Sequence, residues 1–202
     1  MSQKPSQPSH NQIRIIGGDW KRTPLPVLNF DGLRPTPNRV RETLFNWLGQ
    51  RLDGLACLDL FAGSGALGFE AASRGAKRVL MVEQQARVVQ QLRLNQAKLA
   101  AQTIEIVQAD AVQLVSKLAP ASFDIAFVDP PFKATYLPQV LRLAERLIRP
   151  GGVLYFEAPV PYDSLDLLNS QEPGVQDNTF EHWRIANLKQ AGAVHYHLLR
   201  RT

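Results

Sequence analysis

Apolar positions along this chain fall into two alternating patterns. From residue 56 onward, short continuous apolar runs alternate with stretches in which apolar residues recur every three or four positions. The first pattern predicts buried strands and the second amphipathic helices. Strands are expected at 56–61, 78–83, 104–108, 123–128 and 153–157, and helices at 66–74, 85–99, 111–118 and 137–148. Pro150-Gly151-Gly152 closes the last of these helices. Strands alternating with helices predict an α/β fold, a mostly parallel sheet with helices on both faces.

Both ends depart from that alternation. Residues 182–188 and 194–200, joined by Lys189-Gln190-Ala191-Gly192, predict a C-terminal antiparallel hairpin that closes the sheet. Near the start, Ile-Arg-Ile-Ile at 13–16 predicts a short strand, Gly17-Gly18 a turn and 20–25 the return. Pro24 and Pro26 end that return or confine it to an edge. Thr36 is the expected N-cap of a helix with Pro37 at its first position. Val40, Leu44, Trp47 and Leu48 form its apolar stripe, and Gly49 stops it. Residues 1–11, rich in Ser, Gln and Pro, read as a disordered tail. The expected organisation is therefore a tail (1–11), a small hairpin and helix extension (12–51) and one α/β domain (52–202).

Composition narrows the class. The chain has 202 residues, 45% hydrophobic and 20% charged, ordinary for one globular domain. No apolar run approaches the roughly 20 residues that span a bilayer. The first ten residues lack the apolar core of a signal peptide. The single cysteine, Cys57, falls inside a predicted strand. A cytoplasmic monomer is expected, with no membrane partner. Charge is distributed unevenly: residues 1–51 hold eight Lys/Arg against three Asp/Glu, and the remainder is balanced. Such asymmetry points to an anionic partner, nucleic acid first, or to a solvated basic surface. Arg14, Lys21, Arg22, Arg39 and Arg41 are the candidate phosphate contacts.

The chemistry centres on 57–70, Cys-Leu-Asp-Leu-Phe-Ala-Gly-Ser-Gly-Ala-Leu-Gly-Phe-Glu, read as a strand, a glycine turn and a helix start. Such a unit cradles a nucleotide-like ligand against bare backbone and helix N–H groups. Gly63, Gly65 and Gly68 also satisfy the dinucleotide fingerprint, a weak match by itself. Asp59 discriminates, because an acid beside that turn suits a cation better than a pyrophosphate. S-adenosylmethionine carries an ammonium and a sulfonium and no phosphate. Glu83 ends the next strand about 20 residues on, where an acid meets ribose hydroxyls. Asp110 and Ala111 follow the third strand and suit an adenine amine and ring, although Asp is equally a common helix N-cap.

Asp129-Pro130-Pro131-Phe132 ends the fourth strand. Two prolines remove two backbone donors and stiffen the turn, leaving the carbonyls of Asp129 and Pro130 free to accept. The carboxylate adds an acceptor and Phe132 a stacking face, which together suit a planar base with an exocyclic amine. His195 and His197 share a face of a predicted strand without a third ligand, so no metal site is expected.

Asp-x-Phe-x-Gly-x-Gly at 59–65 with Asp-Pro-Pro-Phe at 129–132 resembles the class I S-adenosylmethionine-dependent methyltransferases of exocyclic amines. Ile-Arg-Ile-Ile-Gly-Gly (13–18) and Leu-Arg-Pro-Thr-Pro-Asn-Arg-Val-Arg-Glu-Thr-Leu-Phe-Asn-Trp-Leu (33–48) resemble the RsmD family, bacterial 16S ribosomal RNA guanine-N2 methyltransferases. The likeness covers roughly residues 12–200. It implies a Rossmann-like sheet with Asp59, Gly63 and Gly65 at the methionine end of the cofactor and Phe61 among the cofactor-binding residues. It further implies Glu83 at the ribose, Asp110 and Ala111 at the adenine, and Asp129, Pro130 and Phe132 at the guanine. The implied substrate is a loop base of 16S rRNA in the small ribosomal subunit. An adenine-N6 methyltransferase shares the Asp-Pro-Pro-Phe element and is the alternative.

Overall fold

The alternation of apolar runs and amphipathic stretches is realised as a mostly parallel sheet between two helical layers. A computed structural model describes residues 12–28, 36–130, 137–159, 161 and 182–202. Its strands are β1 (Gln12–Arg14), β2 (Pro24–Pro26), β3 (Ala56–Asp59), β4 (Arg78–Glu83), β5 (Ile104–Gln108), β6 (Phe123–Val128), β7 (Ile148–Ala158), β8 (Trp183–Ala191) and β9 (Val194–Arg201). Its helices are α1 (Asn38–Trp47), α2 (Ala66–Ser73), α3 (Ala86–Lys98), α4 (Ala111–Val115) and α5 (Leu137–Leu147). The main sheet has the order β5-β4-β3-β6-β7-β9-β8. β3 to β7 are mutually parallel, and β9 runs antiparallel to both β7 and β8.

Period-two alternation decides which side chain meets which layer. Cys57, Met81, Phe127 and Tyr155 face the layer that holds Leu44, Phe69 and Val88. Leu58, Leu80, Val128 and Leu154 face the layer that holds Val115, Ala144 and Leu147. Strand order reverses at β3, which has β4 on one side and β6 on the other. The crevice outside the carboxyl ends of β3 and β6 is therefore the natural ligand site of this topology. Among the described residues no helix is long and apolar enough to cross a membrane.

Several boundaries differ from expectation. β3 ends at Asp59, so Leu60 and Phe61 belong to the loop. β7 starts at Ile148, with Pro150-Gly151-Gly152 inside the strand rather than terminating a helix. Ile148 pairs with Phe123, and a register shift before the Ile125–Val153 pair absorbs the extra residues. In the C-terminal hairpin Ala191 pairs with Val194, so the connection is two residues, not four. Gly192, at φ 63°, takes the left-handed conformation that such a tight turn requires.

The N-terminal extension is packed into the main core. β1 and β2 form a two-stranded antiparallel sheet with Ile13 opposite Leu25, and both side chains are buried with the sheet face of α1 to α3. Helix α2 holds this hairpin by polar clips. The Ser73 hydroxyl donates to the Gly17 carbonyl at 2.6 Å and accepts from the Trp20 amide at 2.9 Å. Glu70 is fully buried and accepts from the Ile16 amide at 2.9 Å and from Arg74 Nε at 2.8 Å. Arg41 reaches the same carboxylate at 3.4 Å and also donates to the Arg14 carbonyl and to Asn38.

Arg41 is thereby a correction to the sequence reading. It is 1% exposed, and its guanidinium is committed to internal partners, so it is not a surface phosphate contact. The reason is local geometry: Arg41 lies one helical turn before Phe45, which is fully buried and widens the inward face of α1. Arg14, Lys21, Arg22 and Arg39 are exposed.

Candidate active site at the carboxyl edge of the sheet

Five successive parallel strands each carry an acid at or just beyond the carboxyl end: Asp59 on β3, Glu83 on β4, Asp110 after β5, Asp129 after β6 and Glu157 on β7. The loop between β3 and α2 lies among them. Gly63 and Gly65 have φ of 49° and 79°, conformations that favour glycine, and Gly65 sits at the N-cap of α2. The Leu60 amide donates to the Phe127 carbonyl and the Ala62 amide to the Val82 carbonyl, which pins the loop to the strands on either side.

Asp59 is 3% exposed and accepts from the Gly68 amide at 2.9 Å through Oδ2. This bond ties the end of β3 to the first turn of α2, directly after the glycine loop. Gly68 is a glycine because a Cβ there would lie 2.8 Å from Met81 and 3.0 Å from Asp59 Oδ2. Burial pushes the Asp59 carboxyl up to about 7, opposed by the Gly68 amide and assisted by nearby Glu83. Glu83 is half-buried and accepts from the Gly63 amide at 3.0 Å and from the Gln85 amide at 2.8 Å. It thus stands at the mouth of the loop, where its position in sequence put it.

Asp110 caps α4, accepting from the Gln113 amide at 3.0 Å, the alternative that its residue type had left open. Ala111, the first residue of that helix, is buried. Phe61 is half-buried in the loop. Asp129 and Pro130 directly follow β6, and Pro130 is buried. Pro131 and Phe132 lie outside the described residues, as do residues 1–11.

Two contacts around Asp129 were missed by the sequence reading. The Thr36 hydroxyl donates to Asp129 Oδ2 at 3.3 Å instead of capping α1, whose cap position is Pro37 with no side-chain bond. Glu157, 7% exposed, accepts from the Tyr155 hydroxyl at 2.7 Å. Burial raises the Asp129 carboxyl well above its ordinary value, and Glu157 and Asp59 add to that rise while the Thr36 bond opposes it. Glu157 is also raised by burial, against the Tyr155 bond. For Glu157 the signal in the sequence is that neighbouring parallel strands run in register, so with Val128 opposite Phe156 the acid that ends 153–157 falls beside Asp129.

His197 is buried and stacks on Phe156 with ring centroids 4.4 Å apart, and Trp47 stacks on Tyr196 at 5.4 Å. Both are packing contacts, His197 within the sheet and Trp47 from α1 onto it. Cys57 is buried in β3, and burial raises its thiol far above the usual range.

A glycine turn at a topological switch point, ringed by acids and followed across the crevice by Asp-Pro, fits a cationic nucleoside ligand and is ill suited to a pyrophosphate. Fold and site together define an α/β methyltransferase. Residues 13–200 match the family described as Conserved hypothetical protein 95. The chain is 41% identical over 198 residues to the Ribosomal RNA small subunit methyltransferase D of Escherichia coli strain K12, covering 98% of this chain and 94% of that protein. Its identity to the Haemophilus influenzae protein of the same name is 36% over 192 residues, 93% of each chain. A solved Escherichia coli structure, described as a candidate methyltransferase yhhF, superposes with a TM-score of 0.76 at 40% identity, covering 94% of this chain and 98% of that one. The chain belongs to the RsmD family and is a ribosomal RNA methyltransferase.

Proposed function

We infer that the chain transfers a methyl group from S-adenosylmethionine to the exocyclic N2 amine of a guanine in a loop of 16S rRNA within the small ribosomal subunit. The observation that carries this reading is Asp129-Pro130 at the end of β6, across the switch point from the glycine loop. Support for a small-subunit RNA substrate comes from the names of the relatives, and support for the donor from the acid-lined, cation-compatible loop.

Asp59 and the Gly63–Gly65 loop would hold the amino acid end of the cofactor, and Glu83 its ribose hydroxyls. When bound, the cofactor supplies a methyl group already activated by its sulfonium. The chain's own task is positioning, which for a well-oriented pair is worth on the order of 7–11 kcal/mol. The Asp129 carboxylate and the Pro130 carbonyl would accept the two amine hydrogens, turning the nitrogen lone pair toward the methyl carbon. As the N–C bond forms, the S–C bond breaks and a neutral thioether leaves; the surplus proton on nitrogen would pass to the same carboxylate. A base in a loop is splayed out at lower cost than one in a duplex. Arg14, Lys21, Arg22 and Arg39 are the exposed cations of the extension proposed to hold the backbone.

The test is transfer of labelled methyl to 30S subunits isolated without this enzyme, followed by nucleoside analysis, with free 16S RNA and DNA in parallel. N2-methylguanosine is the expected product, and Asp129→Ala should lower the rate roughly 10²–10³-fold or more while cofactor binding persists. Methylated adenine would replace the base assignment with the adenine-N6 alternative.

A further inference from the structure

Glu157, in the carboxyl-edge row, has no part in that chemistry. Glu157 lies beside Asp129: β6 and β7 run parallel with Val128 opposite Phe156, and the next residue of each strand is the acid. Both acids follow the alternation of Phe127 and Tyr155, whose rings lie 6.4 Å apart on the face that carries the N-terminal extension. Across β7, Glu157 pairs with Tyr196 of β9. Two shielded carboxyls side by side repel each other unless donors come between them, and among the described residues Asp129 has the Thr36 hydroxyl as donor and Glu157 the Tyr155 hydroxyl. The site therefore favours a ligand edge with two adjacent donors.

Guanine has such an edge, with the N2 amine next to the ring N1–H. Adenine has an amine next to a bare N1 acceptor, which a carboxylate repels. We propose that Glu157 is the base-selecting residue of the site, its carboxylate accepting the guanine N1–H while Asp129 accepts the N2 amine. This rests on the guanine-N2 reading and assigns it a residue. The Tyr155 hydroxyl fixes one Glu157 oxygen and leaves the other for the base, so the selectivity is set from inside the protein. The tyrosine and glutamate occupy alternate positions of one strand, so the pair is rigid by construction.

The discriminating substrate is 2,6-diaminopurine, which keeps the 2-amine but has a lone pair at N1. After the wild-type enzyme has been used to locate the methylated nucleotide, ligated 16S RNA bearing guanine or 2,6-diaminopurine there is assembled into small subunits. Wild-type enzyme is expected to prefer guanine by roughly a hundredfold in kcat/KM, the scale of one well-placed base contact. In Glu157→Gln the amide oxygen keeps the Tyr155 bond and its NH2 faces the base, so the preference should collapse or invert. Glu157→Asp, which keeps an acceptor, should retain guanine preference at a lower rate. Thermal melting and cofactor binding of each variant are measured alongside. An unchanged preference in Glu157→Gln, or an equal loss on both bases, would overturn the proposal while leaving guanine-N2 methylation intact. Wild-type transfer to a base atom other than guanine N2 would overturn the parent reading and this one together.

Discussion

A buried carboxyl under a glycine loop has consequences that can be read one residue at a time. Asp59 is raised from an ordinary 3.8 to about 7 by burial, so the folded protein favours its protonated form. Its contribution to stability is fully present below about pH 4, declines as pH rises toward 7 and changes no further above that. A cation bound beside it reverses the balance and expels the proton. Cofactor affinity should therefore fall as pH drops from about 8 to about 6, with a proton released on binding near pH 7. Calorimetric titration in buffers of different ionisation heat would register that release, and Asp59→Asn should abolish it. Glu83 and Asp129 were legible as acids at or just past the end of an apolar run, and Asp59 as the one acid within the run that leads into the glycine turn. The sequence misled at Thr36 and Arg41, whose partners lie on elements remote in the chain, Asp129 for one and Glu70 for the other. A threonine before a Pro at a helix start looks the same whether it caps or reaches across to a neighbouring strand.

Among the elements, α2 does two jobs. Its N-terminus forms the glycine loop, and its far end holds the N-terminal hairpin through Glu70, Ser73 and Arg74. The turn entering the hairpin is equally tight, since a Cβ on Gly18 would lie 1.8 Å from the Ser73 carbonyl oxygen. Glu70→Gln removes the charge that two buried guanidiniums share, and such a change costs about 3–5 kcal/mol. A melting temperature lowered on the order of 10 °C is expected, with hydrogen exchange rising first in 12–26. Unchanged exchange there would mean that the apolar contacts of Ile13, Ile15 and Leu25 suffice. Element boundaries were legible wherever turn residues flank a buried run, as for β4, β5 and β6. They were not where a glycine pair that resembles a terminator is taken up by a bulge, as in β7.

At the scale of the whole molecule, charge is sorted by place. Acids line the carboxyl edge of the sheet, and the exposed Arg14, Lys21, Arg22 and Arg39 decorate the extension packed on one of its faces. An anionic backbone would be drawn to the second region and repelled by the first unless a base, uncharged and rich in donors, enters the crevice alone. Exchanging Arg14, Lys21, Arg22 and Arg39 together for Gln should weaken binding to small subunits and flatten its dependence on salt by about 3 in the log–log slope. A slope unchanged across a salt series would place the RNA elsewhere on the surface. The strand–helix alternation and the motif spacing made this architecture readable. The position of the extension was hidden, because it depends on contacts more than fifty positions apart in the chain.

The place of β9 inside the sheet bears on how the protein is made. β8 is synthesised before β9 yet, among the described residues, pairs with the sheet only through it, because β9 lies between β7 and β8. While the chain is still emerging, β7 keeps an unpaired border and β8 has nowhere to dock, so a late strand must slot between two earlier ones. Nascent chains halted before residue 194 would expose a raw strand border of the kind that invites pairing with other chains.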